Sequence, residues 1–195
     1  FTLTLFATGA AFASEPAKPV DVGSRLELFT DSHLIADMTG DVKQHLVKPE
    51  PKDVVFHTNE PWEGNTSGYY TYFQDGDLYR MIYRGWQHER KLKAEHKEVT
   101  CYAESKDGIH WTKPHLGLFE FHGSKENNIV WGGIGTHDFV AFKDANPDCP
   151  ANARYKGMAR GRPRGTRGLY IFQSADGINW KLMRDEPVIT EGAFD

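Results

Sequence analysis

Short apolar and aromatic runs separated by turn residues recur along the chain from residue 68 onward. GYYTYF (Gly68–Phe73) and LYRMIYRGW (Leu78–Trp86) flank the turn QDGD, and an Asp-Gly pair between two such runs predicts a β-hairpin. VTCYAES (Val99–Ser105) predicts a third strand and IHWTKP a short fourth. The charged segment QHERKLKAEHKE is interpreted as a solvated loop. No long segment has a helical period, so the pattern favours an all-β fold.

The second half of the chain repeats this order of strands and turns. HDFVAFKDANP matches the first strand and its turn, RYKGMARG the second strand, RGLYIFQS the third and INWKLM the fourth. The phrase S-x-D-G-I-x-W occurs once in each copy, with its serine at Ser105 and again at Ser174. Repeated units of four strands, about 62–130 and 131–194, predict four-stranded antiparallel blades of a β-propeller.

The repeated phrase is interpreted as a turn between the third and fourth strands of each unit. Ser and Asp side chains bond nearby backbone N–H groups in turns, and Gly supplies a positive φ. Asp107 and Asp176 are therefore predicted to be fold residues rather than catalytic ones. Trp111 and Trp180 are expected to enter the next strand and pack against the sheets.

The N-terminus carries the pattern of a secretory signal peptide. An apolar run ends in Ala11-Phe12-Ala13, and the chain becomes polar and proline-rich from Ser14. Residues 1–13 are predicted to be a signal-peptide remnant and 14–24 a linker, so the protein is expected to be secreted or periplasmic. The apolar run is too short to span a bilayer. A partial propeller domain is predicted over 25–195.

The first segment of that domain, RLELFTDSHLIADM, alternates apolar and polar residues from Arg25 to Met38. It is interpreted as a strand or short hairpin.

Cys101 and Cys149 are the only cysteines. They could form a disulfide in an exported protein or remain as buried thiols, and the sequence leaves both open.

Composition limits the classes of partner. Of 195 residues, 39% are hydrophobic and 26% are charged, which is typical of a soluble globular protein. A net charge of −4 gives no reason to expect a nucleic-acid or anionic-membrane partner. The nine histidines lack metal-site spacing, and no glycine-rich phosphate loop is present, so neither a metal nor a cofactor is predicted. Aromatic residues, at 13%, fit both β-sheet cores and sugar-binding clefts.

The run CYAESKDGIHWTKPHLGLFEFHGSKENNIVW, with FKDANP, RYKGMA and FQSADGINW, resembles the five-bladed β-propeller glycoside hydrolases. The likeness is greatest to uncharacterised exported bacterial members grouped loosely with glycoside hydrolase families 32 and 43. The segment LELFTDSHLIADM also resembles the opening segment of those proteins. The resemblance implies a central funnel into which acidic side chains from different blades project. Two blades and the start of a third are expected here, so the chain is expected to be a fragment that is inactive alone. The W-M-N-D-P-N-G box of family 32 is absent.

Candidate acids are taken from the start of the first strand of each predicted blade, because innermost propeller strands begin near the central channel. These residues are Glu63, Asp138 and Asp195. Asp144, in FKDANP, is retained because it loosely resembles the aspartate of an F-R-D-P box. Glycosidic cleavage needs one carboxylic acid to protonate the leaving oxygen and one carboxylate to attack, activate water or stabilise charge.

Candidate substrate-binding residues lie beside these acids. Trp62, Tyr69 and Trp131 could stack on a sugar or pack in the core, and His137 could donate to a substrate or make a structural hydrogen bond. A further group of four arginines could bind a carboxylated or sulfated sugar, or form a solvated hairpin loop. Its members are Arg160, Arg162, Arg164 and Arg167.

The sequence therefore predicts a glycoside hydrolase that acts on a polysaccharide or oligosaccharide. One alternative is a non-catalytic carbohydrate-binding or scaffold propeller, which would lack a converging acid pair. Another is a glycoside phosphorylase, which needs a basic phosphate pocket near the acids. The loop at Arg160–Arg167 would have to reach the funnel for that alternative to hold.

Overall fold

The computed structural model describes residues 18–28, 30–88, 96–162 and 167–192. The predicted signal peptide, the start of the linker, Arg164 and Asp195 lie outside the described residues. The chain divides into two compact units, Phe1–Pro51 and Lys52–Asp195. No helix in the described part of the chain is long and apolar enough to cross a bilayer.

The described residues of the first unit form turns but no strand, so the strand or hairpin predicted for residues 25–38 is wrong. Asp31 Oδ1 accepts the N–H of His33 at 2.9 Å, and the Ser32 carbonyl accepts the N–H of Ile35 at 3.0 Å. These local bonds use backbone groups that a strand would pair with a neighbour. Leu26 and Leu28 are largely exposed, so the apolar positions of this segment gain no core.

The first sheet lies in the second unit and is antiparallel, with the order β1-β2-β3-β4. A short fifth strand pairs with the same edge of β3 as β4 does. The strands are β1 (Gly68–Asp75), β2 (Leu78–Gln87), β3 (His96–Ser105), β4 (Trp111–Thr112) and β5 (Ile129–Trp131). Gly76 has φ 63° in the predicted hairpin turn. Because β3 begins at His96, residues 96–98 of the predicted charged loop belong to a strand.

The second sheet is also antiparallel and has the order β6-β7-β8-β9. Its strands are β6 (Val140–Lys143), β7 (Tyr155–Gly161), β8 (Gly168–Ser174) and β9 (Lys181–Leu182), with a 3-10 helix at Ala151–Ala153. The predicted repeat is confirmed by register. Tyr79 lies opposite Ser105 in the first sheet, and Tyr155 lies opposite Ser174 in the second. The fold is therefore all-β, built from four-stranded antiparallel sheets of the propeller-blade type.

The repeated phrase forms the same turn in both sheets. Asp107 Oδ1 accepts the N–H of Ile109 at 2.9 Å, and Asp176 Oδ1 accepts that of Ile178 at 2.9 Å. The serine hydroxyl of each phrase accepts the N–H of its glycine at 2.9 Å. The predicted turn role of the two aspartates is confirmed.

The core occupies both faces of the first sheet. One cluster joins that sheet to the second and includes Ile82, Tyr102, Phe139 and Phe172. The other packs around Tyr83, Cys101 and Ile129, with Phe56 and Trp62 at its margin. Cys101 and Cys149 are both buried free thiols, so the disulfide alternative is not realised in this structure.

A set of polar contacts, here called the interblade latch, joins the ends of the two sheets. Asp75 accepts hydrogen bonds from Tyr155 Oη at 2.6 Å and from Lys143 Nζ, both in the second sheet. Arg80 pairs with Asp75 at 2.7 Å and donates to the carbonyl of Asp176 at 2.7 Å. The side chain of Asp75 is only 8% exposed, so this charge is well shielded from water.

Candidate functional site

Two cavities lie side by side near the start of β3 and share the lining residues Lys97, Glu98, Gly133 and Thr136. Their volumes are about 670 Å³ and about 660 Å³, which suits a small saccharide or an ion with its water. Because the walls are shared, we treat the two cavities as lobes of one cleft. They are called the basic cavity and the aromatic cavity below.

The basic cavity is lined by four cationic side chains and, among the described residues, one carboxylate. The cations are Lys97, Arg160, Arg162 and Arg167, and the carboxylate is Glu98. Arg160 is at the end of β7, and Arg167 precedes β8, so the ends of two paired strands bring these arginines together. Guanidinium groups bind phosphate, sulfate and carboxylate groups bidentately. This lobe is suited to an anionic group.

The aromatic cavity is lined by Trp86, Phe119 and Phe121 and by two carboxylates, Glu98 and Glu120. Trp86 lies at the end of β2, while the other two rings and Glu120 lie in the segment before β5. Flat rings beside carboxylates can hold the apolar face of a sugar near groups that transfer protons. This lobe is suited to an uncharged part of a saccharide.

Tyr69 in β1, Glu98 in β3 and His137 in the segment between β5 and β6 form a hydrogen-bonded chain at the cleft. The hydroxyl of Tyr69 lies 3.3 Å from Nε2 of His137, and Nδ1 of His137 lies 2.6 Å from Oε1 of Glu98. The Tyr69 and His137 rings are 5.1 Å apart between centroids. Two predicted substrate-binding residues are thus brought together beside a carboxylate that the sequence did not single out.

Arg84, near the end of β2, holds this group from the side. Its guanidinium is 4.7 Å from the centroid of the Tyr69 ring, and its Nη1 is 3.7 Å from Oε1 of Glu98. Its Nη2 donates to the carbonyl of Thr66 at 2.9 Å. The backbone of Tyr69 has φ 54° within an irregular register of β1 and β2 between Gly68 and Thr71. Bulges of this kind redirect side chains near functional sites.

Glu63 has a different place from the one predicted, because its side chain is fully buried. Its carboxylate accepts hydrogen bonds from Tyr83 at 2.5 Å, from Lys113 at 2.8 Å and from the N–H of Glu60 at 2.8 Å. A substrate cannot reach a carboxylate that is enclosed in this way. The described contacts therefore favour a structural role for Glu63, and its catalytic role stays a prediction.

The other predicted acids are also engaged within the fold. Asp138 is half-buried, accepts the backbone N–H of Arg160 at 2.9 Å, and is not among the described residues that line either cavity. Asp144 pairs with Lys156, whose hydrogen bond holds the pKa of Asp144 at about 2. The pair occupies the repeat position of Asp75 and Arg80 in the first sheet, so Asp144 is a hairpin residue.

Both predicted stacking tryptophans pack within the protein. The indole N–H of Trp62 donates to Asn128 Oδ1 at 2.6 Å, and that of Trp131 donates to the Ile134 carbonyl at 2.7 Å. The Trp131 ring also contacts Phe172 edge-on at 5.5 Å. The structure therefore supports packing in the core, rather than stacking on a sugar, for Trp62 and Trp131.

The residues that sequence reasoning missed are Arg84, Trp86, Glu98, Phe119 and Glu120. One signal was present, since Arg84-Gly85 in β2 and Arg160-Gly161 in β7 hold equivalent positions in the two repeats. Arg160 lines the basic cavity, and Arg84 contacts His137, which also lines it. Glu98 had no signal, because it lies in the charged segment that was interpreted as a loop. The described residues contain no group of three or more His, Cys, Asp or Glu that could hold a metal ion.

Solved structures similar to this chain share little sequence identity with it. One is a glycosyl hydrolase from Bacteroides ovatus, with 17% identity and a TM-score of 0.40, covering 62% of this chain and 32% of that one. Another, at 18% identity and a TM-score of 0.40, with 62% and 32% coverage, comes from work on the GH130 family of mannoside phosphorylases, which contains glycoside hydrolases that target β-1,2 mannosidic linkages in Candida mannan.

The third similar structure is a protein proposed to be a glycoside hydrolase from Parabacteroides distasonis, with 17% identity, a TM-score of 0.40, and 62% and 33% coverage. The chain thus spans about a third of the length of each of these structures. No protein-family model and no curated protein matches the sequence. At these identities and TM-scores the likeness assigns neither a family nor an activity.

Proposed function

We propose that the protein is a carbohydrate-active enzyme that cleaves glycosidic bonds in an oligosaccharide or polysaccharide, with the cleft as its site. The observation that carries this proposal is the aromatic cavity, where Glu98 and Glu120 share one space with three aromatic rings. Paired carboxylates supply the acid and the base or nucleophile of glycoside hydrolysis, and rings stack on the sugar.

The two carboxylates have different surroundings, which suggests different roles. Oε1 of Glu98 meets Nδ1 of His137 at 2.6 Å and the guanidinium of Arg84 at 3.7 Å. These contacts orient the carboxylate of Glu98, so it is suited to activate water or to stabilise positive charge on the sugar. Glu120 is exposed and is assigned the delivery of a proton to the leaving oxygen.

Phosphorolysis is a second candidate, and the basic cavity favours it. Arg160, Arg162 and Arg167 line the lobe that shares Glu98 with the aromatic cavity. An inorganic phosphate bound there would be held by guanidinium groups beside the sugar and could replace water as the nucleophile. A glycoside phosphorylase needs a basic phosphate pocket near its acids, and this arrangement supports that alternative.

The test measures turnover by the full-length protein on a panel of oligosaccharides, with and without inorganic phosphate. Release of reducing sugar indicates hydrolysis, and release of a sugar 1-phosphate indicates phosphorolysis. Glu98→Gln and Glu120→Gln should each lower kcat about 100-fold or more. The matched control is Glu126→Gln, because Glu126 is exposed and, among the described contacts, its side chain bonds only to His115.

Two outcomes would contradict the proposal. Saccharide binding without turnover in the parent protein would favour the non-catalytic binding propeller. Unchanged turnover in Glu98→Gln would remove that residue from the site.

We also propose that the protein is exported, on the strength of the apolar run and the Ala11-Phe12-Ala13 sequence. Recovery of a mature protein starting near Ser14 from the periplasm or medium would support export. Recovery of an uncleaved protein from the cytoplasm would contradict it.

A further inference from the structure

We propose that Tyr69 controls the reactivity of Glu98 through His137, as a positioning residue that fixes the imidazole tautomer. In this tautomer the proton is on Nδ1 and points to the cleft carboxylate, while Nε2 accepts hydrogen bonds. The effect on catalysis rests on the role proposed above for Glu98, whereas the effect on the imidazole does not.

The tautomer follows from the partners of the two ring nitrogens. Nδ1 of His137 lies 2.6 Å from a carboxylate oxygen of Glu98, which can only accept, so Nδ1 carries the hydrogen. Nη1 of Arg84 lies 3.1 Å from Nδ1 and 3.3 Å from Nε2, and a guanidinium can only donate. Since Nδ1 is already donating, Nε2 is the nitrogen that accepts.

The hydroxyl of Tyr69 lies 3.3 Å from that same Nε2. Because Nε2 is held as an acceptor, the hydroxyl is the donor in this contact. Arg84 and Tyr69 therefore both oppose a proton on Nε2, and both favour the form of His137 that donates to Glu98. The three groups around the imidazole are Tyr69 from β1, Arg84 from β2 and Glu98 from β3. The first sheet therefore sets the arrangement around His137.

The backbone of Tyr69 supports a functional interpretation. Its φ of 54° is in the left-handed region, which is uncommon for a bulky residue and costs free energy. Tyr69 as a whole residue is 37% exposed, so burial does not explain the conformation. The irregular register between Gly68 and Thr71 places this hydroxyl against His137. Such strain is concentrated at functional sites.

The consequence for Glu98 is orientation. The contacts with His137 and Arg84 both use Oε1, so among the described contacts Oε2 is the oxygen left to meet water or a sugar. The other charged groups that face His137 across the basic cavity are cationic: Lys97, Arg160, Arg162 and Arg167. In the other tautomer Nδ1 of His137 carries no hydrogen, so it would present a lone pair to the Glu98 carboxylate instead of an N–H donor.

The test uses the full-length protein labelled with ¹⁵N-histidine, with the His137 signals assigned by comparison with His137→Asn. In the parent, His137 should be the Nδ1–H tautomer. Tyr69→Phe keeps the ring beside Arg84 but removes the donor to Nε2, so the ratio of Nε2–H to Nδ1–H should rise about fivefold. Its kcat should fall about three- to thirty-fold with little change in KM. Tyr72→Phe, at an exposed position of β1, is the matched control and should change neither quantity.

An Nε2–H tautomer in the parent, or an unchanged His137 spectrum in Tyr69→Phe, would overturn this inference even in an active enzyme. A shifted tautomer in a protein that cleaves no saccharide would support the positioning role and reject the proposed function. A lower kcat with an unchanged tautomer would show that Tyr69 acts by another route.

Discussion

The ion pair between Glu63 and Lys113 contacts Tyr83 and Phe56 of the second core cluster, and Glu63 Oε2 lies 2.8 Å from Lys113 Nζ. Burying a charge costs several kcal/mol unless every hydrogen bond is made, and here Tyr83, Lys113 and the N–H of Glu60 supply those bonds. The negative charge also affects its neighbours. Burial, and then the Glu63 charge, raises the pKa of the Cys101 thiol well above its usual value, so Cys101 is unreactive as a nucleophile.

Glu63→Gln should reduce stability without affecting catalysis by the folded protein. The change leaves the Lys113 ammonium beside a neutral amide, and we expect a loss of about 2–4 kcal/mol, measured by chemical denaturation. Turnover per folded molecule of the full-length protein should be unchanged. Glu98→Gln should give the opposite pattern, with activity lost and stability nearly retained. A selective loss of kcat in Glu63→Gln would restore Glu63 as a catalytic candidate.

At the scale of elements, the S-x-D-G-x-x-W turn acts as a unit that closes the third and fourth strands of each sheet. The indole N–H of Trp111 donates to the Gly108 carbonyl at 3.1 Å, and that of Trp180 donates to the Gly177 carbonyl at 3.2 Å. The turn therefore fixes the tryptophan as well as the backbone. In the second sheet, that ring packs on Phe139 at 5.1 Å between centroids.

The turn should make stability depend on pH. Burial would raise the pKa of Asp176, but the N–H groups of Ile178 and Asn179 outweigh it and hold the pKa at about 2. A folded-state pKa below the unfolded value of about 3.9 stabilises the protein above about pH 4, and this contribution is lost as the pH falls towards 2.

Asp176→Asn should therefore be less stable than the parent at pH 6, and the difference should shrink by pH 2.5, as measured by urea denaturation across that range. Asp107→Asn should show a change in the same direction, because Asp107 Oδ1 accepts the equivalent backbone N–H groups, those of Ile109 and His110. Asp77→Asn, on the exposed hairpin turn, is the control and should show no such trend. An equal deficit at both pH values would contradict the charge argument.

The strands could be predicted because they are encoded locally, by aromatic runs, an Asp-Gly turn and a repeated phrase. The site could be predicted only in part. Tyr69 and His137 were candidates, but their grouping with Glu98 was not predicted, because these residues meet across 68 positions between Tyr69 and His137 and across 39 positions between Glu98 and His137. Searching strand heads for acids led to Glu63, whose burial depends on a lysine 50 positions away. The segment at 25–38 had the right alternation, but its described residues pair with no strand.

At the scale of the whole molecule, the interblade latch couples the two sheets, and the cleft depends on residues from both. Glu98 belongs to the first sheet and Arg160 to the second, so their separation is set by how the sheets pack. The shared hydrophobic cluster supplies most of that packing, and Asp75 adds a shielded charge with partners on both sides.

Asp75→Asn should weaken this coupling. It removes the charge that faces Arg80 and Lys143, and we expect a loss of about 2–4 kcal/mol. In native-state hydrogen exchange, amides of the two sheets should open with similar free energies in the parent and with different ones in the variant. The value of KM should rise, because the cleft walls lie on both sheets. Asp77→Asn is again the control, and a uniform loss across both sheets would contradict the coupling role.

The latch has a consequence for the order in which the chain acquires its structure. Its bonds between the two sheets join residues 68, 80 and 96 positions apart, whereas the β1–β2 hairpin closes over a two-residue turn. Closing long loops costs more entropy than closing short ones, so we expect the hairpins to form early and the latch to close last. Contacts that form after the rate-limiting step govern how fast a protein unfolds rather than how fast it folds. The latch is therefore a determinant of the lifetime of the native state.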